Sequence, residues 1–128
     1  MIFDLEVPIY NCHIAFLVGS TVEDFEKFYK DNKERLTEEE YKNITEDIKD
    51  VVNVDGLTMR AEKGCNYLVY FRHPEHKDDV AHEIFHVANK ILMARGVTFD
   101  ADAEAWAYLI GWITKRFYEI ISKDNDKQ

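Results

Sequence analysis

At 128 residues the chain has the length of one domain, and 46% hydrophobic with 13% aromatic residues is too much apolar material for a disordered segment. Twenty-five acidic against 16 basic residues give a net charge of −9, which argues against nucleic acid and against anionic lipid surfaces. The longest apolar runs fall far short of the roughly 20 residues that span a bilayer, no leader-like segment opens the chain, and two cysteines make no disulfide framework. The expected setting is the cytoplasm, with reduced thiols.

In chain order, residues 9–18 (IYNCHIAFLV) are rich in β-branched and aromatic types and stop at Gly19-Ser20, which predicts a buried strand with His13 in a structural role. Thr21 is placed to cap a helix whose first turn is acidic. Thr37 with Glu40 forms a capping-box pattern that opens a second, very polar helix to about Ile48, expected at the solvated periphery. In residues 51–63, Asp55-Gly56 signals a hairpin turn between two short strands. NYLVYFR (66–72) is the clearest strand, and its continuous apolar run suits a central core strand as well as an edge strand. Asp78-Asp79 then open a long helix that runs to Arg95 and stops at Gly96. A short loop leads to Asp100, a cap for the last helix from Ala101 to about Ser122, and residues 123–128 read as a frayed tail. The order predicts an α+β fold, with a short mixed or antiparallel sheet packed against two long helices. Residues 1–128 form one domain in this reading, with its core at about 66–122 and residues 1–50 accessory.

The chemistry concentrates in the first long helix. Residues four apart on a helix lie one turn above each other on the same face, so His82 and His86 present two imidazoles to one point, as a zinc ion requires. Glu83, about 100° round from His82, flanks such a metal and is placed to take a proton from its water. On the helical wheel Ile84, Phe85, Ala88, Ile91 and Leu92 form the core-facing stripe, while His82, His86 and Asn89 form a separate one. A catalytic zinc takes three protein ligands, and the best third candidate is Glu104, with seventeen residues between His86 and it, and with Asp100 and Asp102 as nearby substitutes. On the last helix Trp106, Leu109, Ile110, Ile113 and Phe117 make the core stripe, and Glu104, Tyr108 and Gly111 share another face. Tyr108 is a candidate donor to a developing oxyanion, as are His73 and His76.

His82-Glu83-xx-His86 with a downstream Glu104 resembles the zincin metallopeptidases of the gluzincin type, including the small ImmA/IrrE-like peptidases and metallopeptidases of phages and mobile elements. The resemblance covers roughly the second half of the chain. It implies a zincin-like fold, one zinc ion per chain held by His82, His86 and Glu104, and Glu83 as general base and acid in the hydrolysis of peptide or protein substrates. In such folds the substrate commonly pairs with an edge strand beside the metal helix. Departures are the partial echo of the third-ligand motif in DADAEAWAY and the lack of a second domain to close a cleft. A Gly-Cys pair at Gly64-Cys65 upstream of HExxH also resembles peptide deformylases, with Cys65 as a ligand, although that family's other motifs are missing. The alternative from a different class is a non-catalytic zincin-like domain that binds another protein.

Overall fold

The computed structural model describes residues 1–49, 55–98 and 103–126, with side chains as far as 124. The fold is α+β, built on a four-stranded mixed sheet and four helices. Strands β1 (Ile2–Val7) and β2 (Cys12–Val18) are followed by helices α1 (Val22–Asp31) and α2 (Glu38–Lys49). Strands β3 (Gly56–Arg60) and β4 (Asn66–Phe71) precede α3 (Lys77–Ala94) and α4 (Ala103–Asp126). The chain divides into two compact units, Met1–Glu83 and Ile84–Gln128.

In the first unit the strand order is β1-β2-β4-β3. β2 and β4 pair in parallel at the centre, His13 opposite Asn66 through Val18 opposite Phe71, and an antiparallel strand flanks each of them. The continuous burial of both central strands follows from this position, because a strand with two neighbours and two covered faces has no side to give to water. NYLVYF is therefore a central strand, and the edge next to it is β3. Gly56 of the expected Asp55-Gly56 turn is the first residue of β3, opposite Phe71, and the strand expected before that turn, residues 51–54, lies outside the described residues.

The segment expected to be accessory supplies half the sheet. β1 follows a period-two pattern in which Leu5 and Val7 are buried while Asp4 and Glu6 are exposed, the signature of a half-covered edge strand. α1 and α2 lie on the sheet face that carries Ala15, Leu17, Leu68 and Tyr70, and Phe25, Leu36 and Ile44 close one apolar cluster with them. Tyr41 of α2 stacks on Tyr29 at 4.3 Å and on Phe25 at 5.6 Å between ring centroids, so α2 is anchored on one side and solvated on the other. The helix starts are chemically specified. Thr21 and Asp24 exchange hydrogen bonds between side chains and backbone at 3.2 and 3.0 Å, and Thr37 and Glu40 do the same at 3.1 and 2.9 Å. On the opposite sheet face, Phe16 stacks between Phe3 and Phe71 at 5.2 and 6.2 Å. His13 Nδ1 lies 3.0 Å from Asp4 Oδ2, and Arg35 Nη2 lies 2.9 Å from Asp4 Oδ1, which ties β1, β2 and the approach to α2 together.

In the second unit, α3 ends as its sequence dictates. Gly96 takes a positive φ of 74°, which glycine adopts without a Cβ penalty. The N–H groups of Gly96 and Val97 donate to the carbonyls of Met93 and Leu92, closing the helix with a Schellman motif. The buried residues of α4 are Trp106, Leu109, Ile113 and Phe117, a stripe at helical spacing, while Ile110 sits at its margin. The expected cap Asp100 lies outside the described residues. No helix among the described residues is long and apolar enough to cross a membrane.

Candidate functional site

His82, Glu83 and His86 all lie within α3, as the periodicity of this stretch requires. The buried residues of the helix are Val80, Glu83, Ile84, Val87, Ala88, Ile91 and Leu92. Phe85, expected in this stripe, is 45% exposed and is replaced in it by Val87. At about 100° per residue Phe85 falls just past Leu92 at the rim of the buried arc, whereas Val87 falls inside it, between Glu83 and Ile91. The two histidines keep clear of that arc: His82 is exposed and His86 half-buried, with Phe85 meeting the His86 ring edge-on at 5.9 Å.

Glu83 is the unexpected member. It is only 8% exposed, although most acidic residues in the chain lie at the surface. A carboxylate out of water needs hydrogen bonds to replace its hydration, and here the partner is Thr58 of β3. The Thr58 hydroxyl donates to Glu83 Oε1 at 2.7 Å and lies 3.3 Å from the backbone carbonyl oxygen of the same residue. Gly56, two residues earlier on the same side of β3, provides the space: a Cβ there would stand 2.8 Å from Glu83 Cγ and 3.1 Å from Oε2. The second carboxylate oxygen, Oε2, is 3.8 Å from His82 Nε2. One oxygen is thus fixed from the sheet and the other faces the imidazole.

Register places this arrangement on the sheet. Thr58 and Gly56 stand opposite Val69 and Phe71, on the face away from α1 and α2, whereas Leu57 and Met59 pack with those helices. Cys65 precedes β4 at its other end, four residues from Val69, and its carbonyl accepts the N–H of His13 at 3.0 Å. At about 3.3 Å of rise per residue, Cys65 begins roughly 13 Å along the strand from the level of Thr58. Cys12 and Cys65 are not joined in a disulfide.

In the second unit, Trp106 Nε1 donates to Asn89 Oδ1 at 3.1 Å. This bond ties α4 at Trp106 to α3 at Asn89, about one turn beyond His86; Glu104 lies in the first turn of α4, two residues before Trp106. Glu104 is exposed, and Tyr108 is exposed at 77%. Asp100 and Asp102 lie outside the described residues. Among the described residues, no three His, Cys, Asp or Glu side chains are gathered closely enough to hold a metal ion.

Thr58 and Gly56 carry no motif, and their partner is 25 residues away from Thr58, so no local signal in the sequence marks them. No protein-family model, curated protein or solved structure matches the chain.

Proposed function

We propose that the chain is a zinc-dependent hydrolase of the gluzincin type that cleaves peptide bonds. The observation that carries this reading is the carboxylate of Glu83, buried and held by Thr58 beside His82, in the one helix that also repeats a histidine after four residues. A solvated polar face with accidental spacing gives no reason to bury the glutamate while leaving His82 exposed.

The donor set fits zinc in its chemistry. In this proposal His82 and His86 would supply the two imidazoles and Glu104, in the first turn of α4, the carboxylate. Zinc bound there would polarise a carbonyl and acidify a water molecule. Glu83 would take the proton of that water and deliver it to the leaving amine, with Thr58 keeping the carboxylate in one orientation through both transfers. The outer side of edge strand β3, next to Glu83, suits an extended peptide added as a further strand. Tyr108, exposed on α4, is the proposed donor to the oxyanion. The exposure of Glu104 and Tyr108 favours a second reading, in which a domain of this type binds a protein without cleaving it. Cys65, at the far end of β4, suits a deformylase-like ligand set poorly.

Elemental analysis and a peptide-library assay test the proposal. Wild type should hold one tightly bound zinc per chain after gel filtration, and His82→Ala should lose it. Glu83→Gln should keep the metal and lose about 10²- to 10⁴-fold in turnover, the usual contribution of a general base. Protein without stoichiometric metal would sink the proposal, and metal with Glu83→Gln indistinguishable from wild type would leave the binding domain.

A further inference from the structure

Just before α3 the chain sets two more imidazoles side by side. His73 and His76 lie in the segment that joins β4 to α3, with ring centroids 5.0 Å apart and planes tilted by 43°. A turn fixes their spacing: the N–H of His76 donates to the His73 carbonyl at 3.0 Å, and the His76 carbonyl accepts from Val80 N–H at 3.2 Å, which anchors the turn to the helix.

Each ring has its own carboxylate at the same nitrogen. Glu75 Oε1 lies 3.3 Å from His73 Nδ1, and Asp79 Oδ2 lies 3.3 Å from His76 Nδ1. A carboxylate at Nδ1 favours the tautomer that carries its proton there, which puts the lone pair of the neutral ring on Nε2. Metal-binding histidines are commonly oriented in this way, by a carboxylate on the nitrogen that does not touch the metal. The separation of the rings agrees. With a metal–nitrogen distance of about 2.0 Å and a ring centre about 1.1 Å further on, two imidazoles at a tetrahedral angle stand roughly 5 Å apart between centres.

We propose that His73 and His76 form a second metal site, for a borderline divalent ion such as zinc, with Glu75 and Asp79 steadying the rings. Only two protein donors face the ion, because both carboxylates are committed to the other nitrogens, so water or a donor from a bound partner completes the coordination. The four side chains are between 31% and 64% exposed, so the ion enters from solvent without opening the core, and it exchanges. Weak, exchangeable binding suits occupancy that follows the free metal concentration rather than a structural role. This site does not depend on the reading of His82, Glu83 and His86.

The test uses the full chain with His82→Ala and His86→Ala, stripped with a chelator and titrated with zinc while the imidazole C–H resonances are followed by NMR. That background leaves three of the five histidines, with His13 as an internal control. The resonances of His73 and His76 should move together and saturate, and that of His13 should stay. His73→Gln or His76→Gln should weaken binding at least tenfold, and Glu75→Gln or Asp79→Asn about tenfold by releasing the ring each one steadies. All four positions are in a surface loop or the first turn of a helix, and circular dichroism checks that each variant is folded. Zinc that leaves both resonances in place at millimolar concentration, or His76→Gln with unchanged affinity, overturns the proposal. In the otherwise wild-type chain, loss of the tight zinc on His82→Ala but not on His76→Gln separates the two sites.

Discussion

Adding one methyl group to Gly56 should change sign in its effect on stability according to what stands at position 83. In an ordinary strand, Gly→Ala stabilises by about 0.5–1 kcal/mol, because alanine has less backbone freedom to lose on folding. Here the new Cβ would stand 2.8 Å from Glu83 Cγ, closer than real contacts allow. Cγ is near the root of the side chain, and its far end is held at 2.7 Å by Thr58, so moving it aside breaks the hydrogen bond that compensates burial of the carboxylate. Overpacking of this kind costs about 1–3 kcal/mol, and losing a hydrogen bond to a charged group costs about 1.5–3 kcal/mol. The two costs overlap, since the same displacement incurs both, and a net loss of about 2 kcal/mol follows. In a Glu83→Ala background neither cost exists, and Gly56→Ala should become neutral or stabilising. Urea denaturation of wild type, both single variants and the double variant gives the coupling as a double-mutant cycle, expected at about 2–3 kcal/mol. A coupling within about 0.5 kcal/mol of zero would refute the packing of Glu83 against β3, and with it the observation that carries the proposed function.

Other outcomes follow from the caps and from the α3–α4 tie. The Asp24 carboxyl is held below its ordinary value of 3.8, first by the Thr21 backbone N–H and then by the Thr21 hydroxyl. A depressed carboxylate contributes stability that is present above its unfolded pKa and is lost as pH falls through its lower folded value. The stability gap between wild type and Asp24→Asn should therefore be open at pH 7 and close below 3.8, which denaturant curves at both ends of that range will show. Asn89→Ala removes the Oδ1 that accepts from Trp106 and should cost about 1 kcal/mol, with a changed Trp106 fluorescence or indole N–H resonance marking the loss of the tie. Phe25→Ala, which empties the centre of the α1–α2 cluster, should cost about 3–5 kcal/mol in thermal or urea unfolding.

Features whose cause lies within one helical turn were readable from the sequence. Thr21, Thr37 and Gly96 each end or begin a helix through hydrogen bonds to neighbours no more than four residues away, so the relevant chemistry is all inside a short window. The same holds for the exposure of His82 and for the stripe from Trp106 to Phe117. Strand order was not readable, because the pairing of β2 with β4 depends on residues about fifty positions apart, and the run NYLVYF is equally compatible with centre and edge. β1 does carry a local signal, the alternation in FDLEV, but five residues of it compete with a terminal segment's other readings. Phe85 shows the limit of a helical wheel: a position at the rim is decided by what packs there, not by its angle. The support of Glu83 by Thr58 and Gly56 was out of reach for the same reason as the sheet order, since it needs two distant segments in register.

The parallel pairing at the centre of the sheet also sets how the chain must fold. β1–β2 and β3–β4 are hairpins between neighbours in sequence, whereas joining β2 to β4 closes a loop of about fifty residues that contains α1, α2 and β3, and that ordering entropy is spent before any central hydrogen bond forms. The non-local step should therefore limit the rate. Val69→Ala, in β4, should slow refolding, while Val7→Ala, in the β1 edge, should mainly speed unfolding.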